Sequence, residues 1–264
     1  MVQWHIASGT DGIVSMGTTG ESATLNNNEH LEVIRQTLRF ADGKIPIIAG
    51  TGANSTSEAL FLTAAAKKLG VAAVLLVTPY YNKPTQEGLY QHYKLIAEKV
   101  KIPQILYNVP GRTAVDMLPA TIKRLSNLEN IVGIKDATGD LSVAKELIEI
   151  LDDDFLIYSG DDVTAVEFVN MGGDGGISVS ANICPSEVSQ IYKLASSDFE
   201  EAQEINNKIK DLHLHLFIES NPIPVKWALN KMGKCESGIR LPLLLLEDKN
   251  QEILTKTLKN IGII

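Results

Sequence analysis

The segment NIVGIKDATGD, residues 130–140, joins an apolar run to a lysine. Apolar runs of this length are typical of buried strands, and a lysine is rarely buried unless it is paired or functional. Lys135 stands where such a strand would end. In an apolar pocket desolvation disfavours the ammonium form of a lysine, and the neutral amine can attack a carbonyl to form a Schiff base. The sequence therefore predicts Lys135 as a nucleophile for a carbonyl substrate.

Other polar residues follow the apolar runs at the same end. Tyr107 ends the run before Lys135, and a tyrosine hydroxyl can carry protons for carbonyl chemistry. The turn GTTGE (17–21) can offer backbone N–H groups to the carboxylate of an oxo acid. Further strand-end residues are Thr18, Thr19, Thr51, Thr78, Tyr80, Tyr81, Asn108, Arg112, Asp136, Ser159 and Gly160. Taken singly, each also has a structural explanation; for Lys135 it is an ion pair with Asp161 or Asp162.

The elements that must position these residues alternate along the chain. The strand runs are apolar at nearly every position, which favours parallel strands covered on both faces. The predicted strands are 12–17, 45–50, 72–77, 104–108, 130–135, 155–160 and 175–180. The predicted helices are 28–41, 56–69, 86–99, 117–126, 140–151 and 162–170, then 186–195, 198–217, 222–232 and 250–261. This alternation predicts βαβ units whose polar strand ends share one face.

Two α/β folds fit this pattern. A closed (β/α)₈ barrel needs eight strands, one more than the seven visible runs. An open doubly wound sheet is the alternative, but GTTGES (17–22) is not GxGxxG and GTGANS (50–55) lacks GK[ST]. The pattern alone leaves both folds open, and it predicts one domain with a helical C-terminal extension.

The composition excludes several classes of protein. The chain has 264 residues, a net charge of −8 and no basic cluster, which argues against a nucleic-acid partner. There is no apolar run of about 18 residues and no signal-peptide pattern, so we expect a cytoplasmic protein without a membrane span. Cys184 and Cys235 form no CxxC pattern, which favours reduced thiols. Without an HExxH motif or a close carboxylate cluster, we expect no metal.

The order of the motifs resembles one family of enzymes. The sequence is similar to the 4-hydroxy-tetrahydrodipicolinate synthase family, also called dihydrodipicolinate synthase, within the pyruvate-dependent class I aldolases. The resemblance covers essentially the whole chain. The motifs that carry it are GTTGE (17–21), TPYYNKP (78–84), YNVPGRT (107–113), GIKDATG (133–139), NPIPVKWA (221–228) and IRLPL (239–243).

The resemblance implies a fold, a reaction and roles for residues. The fold is a (β/α)₈ barrel over residues 1–185, with C-terminal helices over 186–264 packed on it. It implies condensation of pyruvate with L-aspartate 4-semialdehyde in lysine biosynthesis, with a Schiff base on Lys135 and no other cofactor. Tyr107 would carry protons, linked through Thr18 to the partner subunit's Tyr81 in a homo-oligomer, expected to be a tetramer. Arg112 would receive the carboxylate of the semialdehyde. The pocket for pyruvate would be completed by the backbone of Thr18 and Thr19 and by Gly160 and Ile177.

The resemblance also implies an effector site for L-lysine at a subunit interface. Glu58 would accept the ammonium group and Tyr80 would bind the carboxylate, whereas Asn27 replaces a frequent histidine. We expect weak-to-moderate inhibition by L-lysine. The whole implied set is Ser22, Ala23, Asn27, His30, Asn54, Glu58 and Tyr80.

Two alternatives and one departure from the family remain. N-acetylneuraminate lyase shares the Schiff-base step, but it commonly has Ser-Thr at the Thr18-Thr19 position and lacks an arginine matching Arg112. An inactive pyruvate-binding fragment is the second alternative. Family members usually carry about 26 more residues before HIASGT, which hold the first of the eight strands. We therefore expect that the first strand is absent, that Met1 is an artefact of the assigned start, and that a gap separates strands 12–17 and 175–180.

Overall fold

Seven parallel strands form one sheet in which they follow one another in sequence order. The structure is a computed structural model that describes residues 1–264. All seven predicted runs are strands. They are β1 (Ile13–Ser15), β2 (Ile47–Gly50), β3 (Ala73–Val77), β4 (Gln104–Asn108), β5 (Ile131–Asp136), β6 (Leu156–Ser159) and β7 (Gly175–Gly176). The order never reverses, as it must in a doubly wound sheet, so the open-sheet alternative is wrong.

Helices connect these strands and continue after the last one. They are α1 (Val2–Ala7), α2 (Asn27–Ala41), α3 (Thr56–Leu69), α4 (Gln86–Lys99), α5 (Pro110–Thr113), α6 (Pro119–Ser126), α7 (Leu141–Ile150), α8 (Ala165–Asn170), α9 (Pro185–Ala195), α10 (Phe199–His215), α11 (Ile223–Lys231) and α12 (Asp248–Asn260). The ten predicted helices are all present. The pattern missed α1 and α5, because helices of six and four residues are too short to show a helical period.

Two predicted boundaries shift because side chains hold the backbone in turns. Helix α8 begins three residues later than the predicted 162, since the carboxylate of Asp161 accepts hydrogen bonds from the backbone N–H and hydroxyl of Thr164. Strand β7 ends at Gly176 rather than 180. The carboxylate of Asp162 accepts from the N–H groups of Val179 and Ser180 at 3.0 and 2.9 Å, which turns the chain away from the sheet.

Alternate side chains of each central strand face two different apolar regions. Leu106 of β4 and Ile134 of β5 are fully buried in the largest core, which lies between the sheet and the helices around it. Leu75, Ile105 and Tyr107 face a small cluster on the other side, inside the curve of the sheet. Because side chains alternate along a strand, Tyr107 therefore points inward where Leu106 points outward.

The C-terminal helices pack on the barrel through a second core. That core joins Leu212, Trp227 and Leu254 of the C-terminal helices to Val166 and Val169 of α8. The helices thus share an apolar cluster with α8. The division between residues 185 and 186 stays a prediction.

The first and last strands form the two ends of the sheet. β1 pairs with β2 and β7 pairs with β6, each on one side only. Seven strands agree with the number visible in the sequence, while the absence of an eighth strand stays a prediction. None of the helices is both long and apolar enough to cross a lipid bilayer.

Candidate active site

Lys135 and Tyr107 lie side by side at the carboxyl ends of β5 and β4. They are register partners, and the Nζ atom of Lys135 is 4.3 Å from the centre of the Tyr107 ring. Lys135 is only 9% exposed and no carboxylate lies within ion-pair distance of it. The structural explanation considered for Lys135, an ion pair with Asp161 or Asp162, is not observed. Those carboxylates accept hydrogen bonds from backbone N–H groups instead.

The next residues of the same strands hold the two strand ends together from the outer face. Asn108 is the register partner of Asp136. The Asn108 amide donates to Asp116 at 2.8 Å and to Asp136 at 3.5 Å, and its oxygen accepts from the N–H of Met117 at 3.0 Å. Burial raises the pKa of the Asp136 carboxyl, and hydrogen bonds from Thr138 and Asn108 oppose the shift. This network fixes the backbone on which Tyr107 and Lys135 stand.

Gly160 leaves the space that the side chain of Lys135 needs. A Cβ atom at Gly160 would lie 2.7 Å from the Cε atom of Lys135 and 2.7 Å from the Cβ atom of Ala137. The N–H of Gly160 also donates to the carbonyl of Asp136 at 2.6 Å, which draws the end of β6 against β5. Ile177 donates its N–H to the carbonyl of Ser159 and packs in the inner cluster with Tyr107.

The turn GTTGE follows β1 and is held mainly by residues from the far end of the chain. Thr18–Gly20 form a short 3₁₀ turn, and Glu21 has a left-handed backbone with φ of 58°. The Glu21 carboxylate pairs with Lys226 of α11 and accepts from the N–H of Arg240 at 2.9 Å. Thr18 makes no side-chain hydrogen bond in the single chain, so its predicted link to Tyr107 stays a prediction for the assembly.

Asn221 joins two predicted site residues and was missed from the sequence. Its Nδ2 atom donates to the hydroxyl of Thr19 at 3.0 Å, and its main-chain oxygen accepts from the guanidinium of Arg112 at 3.3 Å. The only available signal was its place at the start of NPIPVKWA (221–228). Periodicity gives no sign of a contact between residues 202 positions apart.

Tyr81 does not enter the pocket of its own chain. Its side chain is 89% exposed, and its backbone has φ of 74°, a strained conformation for a bulky residue. Strain of this kind often accompanies functional positions. The geometry is compatible with the predicted reach of Tyr81 into a neighbouring subunit, which stays a prediction.

Four of the seven predicted effector residues lie near one another: His30 of α2, Glu58 of α3, Asn54 just before α3 and Tyr80 in the loop after β3. His30 bonds the carbonyl of Gly50 through Nε2 at 2.8 Å, and burial lowers the pKa of its imidazole. Burial, followed by the charge of Glu58, raises the pKa of Tyr80, and the nearby backbone of Asn54 opposes the shift. Ser22 and Ala23 lie in the short turn Ser22–Thr24, and Asn27 begins α2. These last three make no side-chain hydrogen bond to the other four.

Comparison with known proteins identifies the family of this chain. The sequence matches the Dihydrodipicolinate synthetase family over residues 1–261. The chain belongs to this family. The 4-hydroxy-tetrahydrodipicolinate synthase of Ruthia magnifica subsp. Calyptogena magnifica is 67% identical over 100% of this chain and 90% of that protein. The synthase of the same name from Pseudomonas aeruginosa is 57% identical over 100% of this chain and 91% of that protein.

Solved structures of the dihydrodipicolinate synthetase family share the fold. The chloride-inhibited enzyme from Acinetobacter baumannii, complexed with pyruvate, is 58% identical with a TM-score of 0.98, over 100% of this chain and 91% of that one. The enzyme from Cyanidioschyzon merolae with lysine bound is 36% identical with a TM-score of 0.97, over 100% of this chain and 90% of that one. The seven-stranded sheet therefore belongs to a TIM-barrel fold.

The family comparison tests several predictions. The predicted synthase activity and enzyme class are confirmed, and they are favoured over the N-acetylneuraminate lyase alternative. The prediction of a lyase of lysine and diaminopimelate biosynthesis is confirmed as well. The family match begins at residue 1. It therefore does not support the prediction that about 26 N-terminal residues, which would hold the first of eight barrel strands, are absent. The relatives do not test the roles of individual site residues.

Proposed function

We propose that Lys135 forms a Schiff base with pyruvate and that the chain condenses this intermediate with L-aspartate 4-semialdehyde. The product is 4-hydroxy-tetrahydrodipicolinate, a precursor for diaminopimelate and lysine. The observation that supports this most directly is a lysine amine, 9% exposed and without a carboxylate partner, beside a tyrosine at the carboxyl ends of barrel strands. In TIM barrels, catalytic groups stand at this face.

The chemistry proceeds through the amine of Lys135. The neutral amine attacks the keto carbon of pyruvate, and loss of water from the adduct gives a protonated imine. A proton then leaves the methyl carbon, and the resulting enamine attacks the aldehyde carbon of the second substrate. The substrate's own amino group displaces Lys135 as the ring closes, so that one water is released overall. Tyr107 carries the protons in these steps, because its ring lies against the Lys135 amine.

Separate groups bind the two carboxylates. The backbone of Thr18 and Thr19 holds the carboxylate of pyruvate, because a tight turn can direct N–H groups at an anion. Arg112 receives the carboxylate of the semialdehyde, since a guanidinium binds a carboxylate through two parallel hydrogen bonds. Gly160 and Ile177 complete the pocket around the imine. The relay from Tyr107 continues through Thr18 to the partner subunit's Tyr81, within a homotetramer.

Trapping of the intermediate tests this function. Borohydride added with pyruvate reduces the imine, and we expect one adduct per chain on the peptide that contains Lys135. A Lys135→Met variant should give no adduct, while Lys123→Met, which removes an exposed surface lysine paired with Asp152, should label like the wild type. No adduct in folded protein, or an adduct on another lysine, would contradict the proposal.

Turnover separates the synthase from the remaining alternatives. We expect consumption of aspartate semialdehyde and no cleavage of N-acetylneuraminate in coupled assays. Pyruvate labelling without turnover of the semialdehyde would instead favour the inactive, pyruvate-binding chain.

L-lysine is the proposed inhibitor of this enzyme. The candidate site is the region of His30, Glu58 and Tyr80, where a carboxylate stands near a tyrosine hydroxyl and a buried imidazole. Its other members are Ser22, Ala23, Asn27 and Asn54. A family structure from Cyanidioschyzon merolae with lysine bound supports a site for this ligand in the fold.

The edges of the sheet and the thiols support two further proposals. A barrel of the family type has no free edges, so one more strand would pair with β1 and β7 and satisfy their outer backbone groups. Slow amide exchange on the outer side of β1 would support this pairing, and exchange as fast as that of a free strand would contradict it.

The free thiols Cys184 and Cys235 suit a reducing, cytoplasmic location.

A further inference from the structure

We propose that Asn221 is a positioning residue whose side chain serves the pyruvate subsite and whose main chain serves the semialdehyde subsite. The proposal deepens the proposed function and rests on it. Asn221 precedes α11, and its two contacts diverge: the side-chain amide reaches Thr19, while the main-chain oxygen receives the guanidinium of Arg112. One residue thus contacts both groups that face the substrate carboxylates.

The burial of Asn221 shows that folding alone does not account for an amide at this position. The residue is 5% exposed, and its Oδ1 atom is enclosed without a hydrogen-bond partner. A buried polar atom of this kind costs stability, so the side chain is kept in place at the expense of the fold. The one hydrogen bond that its side chain makes is the bond to Thr19.

The rest of the turn GTTGE is anchored independently of Asn221. Glu21, two residues after Thr19, pairs with Lys226 and accepts from the N–H of Arg240. Glu21 therefore holds the far end of the turn, while the Asn221 amide holds Thr19, whose backbone N–H faces the carboxylate of pyruvate in the proposed function. Loss of the amide should leave Glu21 in place and let the backbone at Thr19 shift away from that carboxylate.

The division of contacts gives a kinetic signature. Asn221→Ala removes the bond to Thr19 but keeps the main-chain oxygen that receives Arg112. We expect kcat/KM for pyruvate to fall about five- to tenfold, as for the loss of one ordinary hydrogen bond, and kcat/KM for the semialdehyde to change less than about twofold. A purely structural role would lower both values together.

Two further variants complete the experiment. Asn230→Ala is the matched control, because the amide of Asn230 also donates to a main-chain oxygen, that of Cys235 at 3.0 Å, but touches no site residue. It should leave both kcat/KM values unchanged. Thr19→Val removes the same contact from the other side, so it tests the coupling even if Asn221→Ala does not fold. Combining it with Asn221→Ala should add no further loss for pyruvate.

Different outcomes would contradict the proposed function and the role of Asn221. A wild-type chain that gives no borohydride-trapped pyruvate adduct would overturn both the proposed function and the role of Asn221. A wild-type adduct together with unchanged pyruvate kinetics in Asn221→Ala, or additive losses in the double variant, would overturn only the role of Asn221. Equal losses for both substrates would also overturn it.

Discussion

The amine of Lys135 lies 4.3 Å from the centre of the Tyr107 ring, and the two residues are direct register partners on neighbouring parallel strands. Their separation is therefore set by the sheet rather than by flexible loops. Asn108 and Asp136, the next register pair, hold the same strand ends from the outer face. The backbone beneath the proposed nucleophile and proton carrier is fixed before any substrate binds.

Tyr107→Phe should separate the ring from the hydroxyl. The ring would still contact the Lys135 amine, so pyruvate labelling should persist, but proton transfer would lose its carrier. We expect kcat to fall by about a hundredfold or more. Steady-state kinetics and borohydride trapping measure the two effects. Tyr93→Phe is the control, because this buried hydroxyl donates to the carbonyl of Leu76, so its loss should lower stability but not kcat. An unchanged kcat in Tyr107→Phe would remove Tyr107 from the relay.

Gly160→Ala should block the lysine without adding any polar group. The new methyl would lie 2.7 Å from the Cε atom of Lys135, a contact that forces the side chain or the strand end to move. We expect the rate of pyruvate labelling to fall at least about tenfold, since the amine leaves its reactive position. Gly111→Ala is the control, because a Cβ atom there meets nothing within 4 Å. Equal labelling rates in the two variants, with both folded by circular dichroism, would refute the steric argument.

Glu58→Ala should relieve inhibition by L-lysine while leaving the uninhibited rate unchanged. The carboxylate lies close enough to His30 and Tyr80 to influence both, and it is the acidic group proposed for the ligand's ammonium. Loss of a charge-assisted hydrogen bond should raise the half-inhibitory lysine concentration about tenfold. The control is Glu98→Ala, which removes an exposed carboxylate of α4 near Lys94. A wild-type rate that does not respond to lysine would disprove the effector site.

Acid should destabilise the folded chain through His92. Burial lowers the pKa of its imidazole from 6.5 to about 4, and its Nε2 atom has no partner. Because the folded-state pKa lies below the unfolded value, the unfolded chain binds the proton first, and stability is lost as the pH falls from 6.5 towards 4. Between pH 7 and pH 5 this group should lower the free energy of unfolding by about 2 kcal/mol.

A His92→Asn variant isolates that contribution. Asparagine can keep the contact that Nδ1 of His92 makes with the hydroxyl of Thr56 at 2.9 Å, but it does not titrate. Urea unfolding at pH 7 and pH 5 should therefore show a smaller loss of stability in the variant than in the wild type. The same loss in both proteins would mean that His92 does not titrate in this range.

The sequence predicted the elements well where hydrophobic patterning decides them. The run ending in Lys135 is a strand and the lysine is buried, because the apolar side chains before it have no alternative to the core. Strand β7 was predicted too long, since the pattern carries no information on the Asp162 carboxylate that turns the chain after it. Asn221 was missed for a related reason: its function depends on a contact with Thr19 that only the folded chain creates.

The attachment of GTTGE to the C-terminal segment couples ligand binding at this turn to the docking of that segment. Glu21 and Thr19 are held by Lys226 and Asn221, which lie about two hundred positions later in the chain. A ligand that requires the turn in this conformation must also favour the docked C-terminal segment, and by reciprocity docking must favour the ligand. Substitutions far from Lys135 along residues 221–240 can thus tune affinity for substrate by changing how often this segment detaches, without altering any atom in the pocket.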